Sequence, residues 1–313
     1  MKQSMQNQIE HVIEQSVNWK SKNTESIDIE RVEGTLSPNK FKTQLCAQLQ
    51  PFEQSIVNLS TGYACGFEIE FFLNPSRLSD LQKEIADILP DYQMLLIFLD
   101  EVPKTNHRHF YLIKEKTGQP PEGMQSFELV SPIIDYKSLP YFINTFFTLL
   151  NKYGATDNDS IGFHLHVSTQ SPSKISPISL LYFLDQQEVL NAKERQYTRN
   201  IIEQFFSYSA HDWQWIFEEV TRKCYNVNFL HYHHNNHIEL RSMGGAGYLK
   251  NNKEILLNCF QCLLAYERAL NTPIATIAQG ILEKYALDKQ VIQTKNLSYQ
   301  ALKESDDNHI WFV

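Results

Sequence analysis

Four short stretches carry residues whose type and spacing could do chemistry. In Gly66-Phe67-Glu68-Ile69-Glu70 two carboxylates stand two residues apart, and the period of a strand projects both onto one face while Phe67, Ile69 and Phe71 take the other. Two carboxylates on one face attract a cation; the plainer alternative is the solvated side of a half-buried strand. Phe127-Glu128-Leu129-Val130-Ser131-Pro132 sets one carboxylate between apolar neighbours, before a proline that cannot continue a ladder. Gly162-Phe163-His164-Leu165-His166-Val167 puts two imidazoles on one strand face, an arrangement suited to a divalent metal or a phosphate, or to hydrogen-bonded core histidines. His237-Ile238-Glu239-Leu240-Arg241 uses the same period to align an imidazole, a carboxylate and a guanidinium, which is either a surface ion pair or a place where a metal and a phosphate lie side by side. Polar groups on one face of four separate strands, with the opposite face apolar, are harder to dismiss than any one of them. Glu68, Glu70, Glu128, His164 and Glu239 together make an oxygen-rich donor set, better suited to Mg²⁺ or Mn²⁺ than to structural zinc.

The elements that must position these groups are visible in the texture of the chain. Alternation over residues 64–73 reads as a strand closed by Pro75, and Leu78, Leu81, Ile85, Ile88 and Leu89 then recur at helical spacing up to Pro90. Further strands are expected at 94–100, 109–114, 126–131 and 162–169, and an extended segment at 229–243 broken by the turn-prone Asn235 and Asn236. Leu139–Lys152, with Pro140 in its first turn and Gly154 beyond its end, reads as a helix, as do stretches of 176–222 and a long segment at 250–270. Strands and helices do not alternate strictly, and neither a GxGxxG nor a GxxxxGK[ST] loop is present, so an α+β fold with an antiparallel sheet fits better than a doubly wound one. The expected organisation is a helical extension over residues 1–60, a catalytic domain over 61–275, and a helical then irregular segment over 276–313 packed on the core.

Bulk properties narrow the function classes. The 313 residues are 42% hydrophobic and 20% charged, enough for a sizeable core and unlike a disordered chain. With 28 Lys and Arg against 36 Asp and Glu the net charge is −8, so the broad positive field that non-specific nucleic-acid or anionic-membrane binding needs is lacking. The longest apolar run, Met94–Leu99, is far below the roughly 20 residues of a spanning helix, and the N-terminus lacks the basic-then-apolar pattern of a secretory signal. Five scattered cysteines fit reduced thiols and a cytoplasmic location better than a disulfide framework.

The order ExE, ELVSP, GFHLHVS and HIELR over residues 64–270 resembles the amidoligase family of carboxylate-amine ligases, relatives of glutamine synthetase and glutamate-cysteine ligase. The resemblance implies a curved antiparallel sheet flanked by helices, like the glutamine synthetase catalytic domain, around a site for ATP and Mg²⁺ (or Mn²⁺). It implies an acyl-phosphate route from a small-molecule or peptide carboxylate and an amine to an amide. Carried over by position, Glu68, Glu70, Glu128, His164 and Glu239 match the metal ligands, with Glu70 also catalytic. Arg241 matches the arginine that stabilises the transferring phosphoryl group and contacts the nucleotide, and His166 a nucleotide, substrate or supporting role. Where the family carries Asp-x-Ser ahead of ELVSP, the nearest equivalent is Glu115-Lys116-Thr117, which assigns Glu115 to cofactor binding with altered substrate geometry. A fold-sharing protein that binds nucleotide, metal or a partner without turnover is the alternative, and a metal-dependent hydrolase a further one.

Other features invite plainer readings. Cys259-x-x-Cys262 lies on an apolar helical stripe and reads as core packing. His231, His233, His234 and His237 suggest zinc, but an Asn-rich turn lies among them and no cysteine or second ligand pair accompanies them; Trp213 and Trp215 suit helix packing, and Gly244–Tyr248 reads as a flexible loop that could close over substrate, or simply as a turn.

Overall fold

Alternation of burial along one strand organises the fold. In β1 (Tyr63–Leu73) the side chains of Tyr63, Cys65, Phe67, Ile69 and Phe71 are buried, while Gly66, Glu68 and Glu70 between them are partly exposed on the opposite face. The computed structural model describes residues 2–17, 59, 62–90, 93–98, 109–115, 118–169, 175–190, 201, 225–232 and 235–285. Among these the further strands are β2 (Gln93–Phe98), β3 (His109–Lys114), β4 (Gln125–Val130), β5 (Ile134–Asp135), β6 (Gly162–Thr169), β7 (Val227–Asn228) and β8 (Ile238–Gly244). They form one sheet in the order β2-β3-β4-β1-β6-β8-β7, with β5 pairing β1 off that path. The architecture is α+β and mainly antiparallel, as the sequence leads one to expect. The correction lies at one edge, where β2 runs parallel to β3.

Helices cover the apolar face. After Asn74, whose side chain accepts the Ser76 N–H at 3.0 Å, α2 (Leu78–Ile88) turns Leu81 and Ile85 inward. In α3 (Leu139–Lys152) Pro140 occupies the first turn, where its missing N–H costs nothing. Its Phe146 lies 4.8 Å from Phe110 and 6.0 Å from Phe67, centroid to centroid, and Phe147 lies 6.3 Å from Phe163. These rings are fully buried and dominate the energy of holding α3 on the sheet. α4 (Pro177–Gln186) starts at Ser176, whose hydroxyl accepts the Ser179 N–H at 3.3 Å.

α5 (Asn252–Asn271) buries Cys259 and Cys262 with Leu263 and Tyr266. The Tyr266 hydroxyl donates to the Asn236 carbonyl at 2.6 Å and approaches the Val167 carbonyl at 3.3 Å, tying this helix to the strands that carry the site. α6 (Ile274–Tyr285) packs with α1 (Lys2–Ser16), whose Ile9 and Ile13 are buried, and Ser16 meets Ser176 through their hydroxyls at 2.7 Å.

Residues 18–58 of the expected helical extension, Trp213 and Trp215, Lys116 and Thr117, and His233 and His234 lie outside the described residues. Residues 230–232 are a turn rather than the expected strand, Asn235 and Asn236 form the expected turn, and the strand begins at Ile238. Among the described residues no helix is long and apolar enough to cross a membrane.

Candidate functional site

Register brings the polar residues of separate strands together. Across β1 and β4 Glu70 faces Glu128, across β1 and β6 Glu68 faces His164, and across β6 and β8 His166 faces Glu239. Paired residues share a face, so these groups stand on the side of the sheet away from α3 and α5. A register shift in the β6–β8 pairing places Phe163 against Met243 but Leu165 against Leu240, so two residues of β8 span the single residue His164. This is a β-bulge. Strict alternation after Glu239 and Arg241 would carry Met243 onto the polar face; the bulge returns it to the core, where it is buried.

His164 is the centre of the cluster, its side chain 4% exposed. Its Nδ1 lies 2.8 Å from Oε2 of Glu68 and 3.7 Å from Oε1 of Glu239, and its Nε2 lies 3.8 Å from Oε1 of Glu70. Oε1 of Glu68 is 3.1 Å from Nε2 of His166. Oε2 of Glu70 accepts the Gly162 N–H at 2.6 Å, and the Tyr248 hydroxyl donates to the Glu70 carbonyl. Arg241 forms a close ion pair with Glu239, with Nη1 3.4 Å from Nδ1 of His164, and Asn228 reaches the second oxygen of Glu239 at 3.4 Å.

Charge crowding decides where protons sit. Burial pushes the Glu128 carboxyl up to about 10, helped by the charge of Glu68, a hydrogen bond with Glu68, and the charges of Glu115 and Glu70. Burial works against ionising Glu68 too, yet the charge of His166 and hydrogen bonds from His164 and His166 outweigh it and hold that carboxyl well below its usual range. Glu239 is likewise lowered: the charges of His166, Arg241 and His164 overcome its burial. His166 is raised because Glu68 and Glu239 overcome the burial that disfavours its cation. These opposite shifts favour a proton on Glu128 over Glu68, the two carboxyls being joined by a hydrogen bond and titrating as a pair.

Oxygen-rich donors converging around one imidazole, and a carboxyl raised by burial and by the carboxylates beside it, describe a cluster short of positive charge. Single donor atoms of Glu68, His164 and Glu239 lie within 4.8 Å of one another, close enough to share one ion. The donor set suits a hard divalent cation.

The residues expected to bind metal or nucleotide fall on this face or at its margin. Glu68, Glu70, Glu128, His164, His166, Glu239 and Arg241 are brought together, and Glu115, just past β3, is near enough for its charge to raise Glu128. Ser131 of the ELVSP stretch is structural: its hydroxyl accepts the Phe67 N–H at 2.7 Å and donates to the Pro132 carbonyl at 2.9 Å, closing the strand end. Asn228 went unnoticed, because nothing in its local sequence marks it. The loop after Arg241 is pinned rather than free. Asp157 accepts the Gly247 N–H at 2.6 Å and the Leu249 N–H at 2.7 Å, and Asp159 accepts the Ala246 N–H at 3.0 Å. Gly247, at φ 89°, supplies the left-handed backbone this turn requires.

Comparison with known proteins fits the sequence resemblance. Residues 61–208 match the profile of the family described as "Putative amidoligase enzyme". Among solved structures, one titled "GmaS/ADP complex-Conformation 1" aligns over 82% of this chain and 74% of its own, with 12% sequence identity and a TM-score of 0.38. No curated protein sequence matches.

Proposed function

From the amidoligase match of residues 61–208, we propose that the protein is an ATP- and Mg²⁺-dependent carboxylate-amine ligase that forms an amide bond through an acyl phosphate. The observation that carries the reading is the convergence of Glu68, Glu70, Glu128 and Glu239 around His164, with Arg241 beside Glu239 on the same face.

Glu68, His164 and Glu239 would hold one divalent ion, and Glu70 and Glu128 offer the next nearest oxygens. The ion supplies charge neutralisation for the phosphate oxygens when bound. The chain's own residues do the rest. The guanidinium of Arg241, oriented by Glu239, would supply the fixed cation that negative charge on a transferring phosphoryl group needs. The Gly162 amide and the Tyr248 hydroxyl hold Glu70 and its strand in place, so the site is positioned before substrate arrives. The substrate carboxylate attacks the γ-phosphorus and ADP leaves. The amine then attacks the acyl carbon, phosphate leaves, and the amine gives up a proton. His166 and Glu115, at opposite margins of the cluster, are assigned to nucleotide or substrate contacts, with a small-molecule or peptide carboxylate and amine as partners.

Calorimetric titration of ATP with Mg²⁺ present, and again with the metal chelated, tests this in the wild type and in Glu70→Gln. The amide oxygen of glutamine can still accept the Gly162 N–H, so the fold is retained while one charge is lost. The expected result is metal-dependent ATP binding weakened at least tenfold, about 1.4 kcal/mol. Equal affinity in the two proteins refutes the metal-site assignment. Arg241→Ala is expected to slow ADP release, measured with pooled carboxylates and amines, more than it weakens ATP binding. ATP binding without ADP release under any pairing would instead favour a non-catalytic nucleotide-binding protein.

A further inference from the structure

The carboxylate cluster leaves one pair of imidazoles at its edge. His166 and His237 stand side by side with ring centroids 5.5 Å apart, and Nδ1 of His166 lies 3.4 Å from Nε2 of His237. Each ring is also held at its other nitrogen. Nε2 of His166 is 3.1 Å from Oε1 of Glu68, and facing an ionised carboxylate it donates. Nδ1 of His237 is 2.9 Å from Oγ of Ser168. Metal-binding histidines carry such partners on the nitrogen away from the ion, which fixes ring orientation and tautomer.

The separation of the two converging nitrogens is informative. Two nitrogens bound to one tetrahedral ion at roughly 2.0–2.1 Å stand about 3.3–3.4 Å apart. The observed 3.4 Å has that bite, and it is longer than the roughly 2.9–3.0 Å of an ordinary N–H hydrogen bond.

Binding between the rings needs both facing nitrogens free of protons. His237 meets this by carrying its proton on Nδ1, toward the Ser168 hydroxyl, which is both donor and acceptor and turns to accept it. Any proton on Nδ1 of His166 leaves as the cation enters.

We propose that Nδ1 of His166 and Nε2 of His237 form a two-imidazole site for a late first-row divalent cation of the Zn²⁺, Co²⁺ or Ni²⁺ class, distinct from the carboxylate-rich site beside it. Nitrogen donors select such ions over Mg²⁺, as oxygen donors select the reverse. Water or a substrate group completes the coordination. His231, its ring centroid 6.0 Å from that of His237, is the nearest further imidazole among the described residues. The inference is independent of the ligase reading, because it rests on these two rings and their partners alone. It also carries a consequence: Glu68 serves His166 through Oε1 and His164 through Oε2, so an ion on the imidazole pair and an ion on the carboxylates share one carboxylate. Each should weaken the other, by equal factors.

Zn²⁺ is the probe, titrated calorimetrically into the full chain with excess Mg²⁺ present, and Co²⁺ absorption reports the coordination number. The expected result is one equivalent of Zn²⁺, a four-coordinate Co²⁺ spectrum, and at least a tenfold loss of Zn²⁺ affinity in His237→Asn. Ser168→Ala keeps both ligands and removes one orienting partner, so an affinity drop of about tenfold is expected there too, which serves if His237→Asn does not fold. Wild-type Zn²⁺ affinity in both variants overturns the proposal. So does loss of binding on replacing only His233 and His234 by alanine, which would assign the ion to those sequence neighbours. Simple displacement of Zn²⁺ by Mg²⁺ at one shared site would overturn it as well.

Discussion

Replacing Glu128 by glutamine should stabilise the metal-free protein, and the size of the gain follows from where its proton sits. The folded state holds the Glu128 carboxyl up to about 10, against an ordinary value of 4.5. A raised carboxyl contributes stability that is fully present below the unfolded value and is lost as pH rises through the folded one. Between these limits folding must take up a proton, at roughly 1.4 kcal/mol for each pH unit above 4.5. At pH 7 that sets a ceiling of about 3.5 kcal/mol on the gain, and a measured gain of about 1–3 kcal/mol is expected because the burial of so crowded a group relaxes.

Glutamine is neutral at every pH, nearly isosteric, and its NH₂ can donate to Glu68 where the protonated acid does. Urea unfolding in chelator should therefore show the variant above the wild type at pH 7 to 8, with the gap closing as pH falls toward 4.5. Mg²⁺ should narrow it from the other direction. A ligand at a hundredfold excess over its Kd adds about 2.7 kcal/mol to the protein that binds it, and the variant binds it less well. A variant no more stable than the wild type in chelator, or a gap that does not change with pH, would refute the premise that the cluster is short of positive charge.

Two further outcomes test the surroundings of the site. Asp157→Ala removes the carboxylate that accepts two backbone amides, so the Gly247 and Leu249 amides should exchange with solvent much faster, with a stability loss of about 1–3 kcal/mol. Unchanged exchange there would mean that the loop is held by something else. Burial raises the thiols of Cys65, Cys259 and Cys262, so peptide mapping after brief alkylation should find these three unmodified in the native protein and modified in denaturant. Native-state labelling of Cys259 or Cys262 would contradict the packing of α5.

The strands that carry the site were legible because their two faces differ so sharply. Phe67, Ile69 and Phe71 against Glu68 and Glu70 leave one way to bury β1, and His164 and His166 against Phe163, Leu165 and Val167 do the same for β6. What a single strand cannot reveal is its register against a neighbour. The rise of the Glu128 carboxyl depends on its burial and on the charge of Glu68 from the neighbouring strand, and the return of Met243 to the core after Arg241 depends on a bulge that local alternation does not encode. The parallel β2–β3 edge escaped for a similar reason, since an apolar run such as Met94–Leu99 states burial but not direction. His237 shows the intermediate case. Its spacing from Glu239 put it on the right side, but its partners His166 and Ser168 belong to another strand.

The division of the sheet into two faces explains how so costly a cluster is tolerated. Phe67, Phe110, Phe146 and Phe163 pack against one another on one side, where their burial offsets the chain entropy without involving the charged groups. The opposite side can then hold Glu68, Glu70, Glu128 and Glu239 close together, because each lies on a strand whose position is fixed from behind. Some of their oxygens are already satisfied by fixed donors, as the Gly162 amide satisfies Glu70 and Arg241 satisfies Glu239. Geometry is thus settled before any ion arrives, and what remains unbalanced is charge, which together with burial raises the Glu128 carboxyl. A site with its donors in place and its charge unmet should gain a cation by losing the Glu128 proton, with little movement of the backbone. Calorimetry of Mg²⁺ binding in buffers of different ionisation enthalpy would therefore report proton release in the wild type and much less of it in Glu128→Gln.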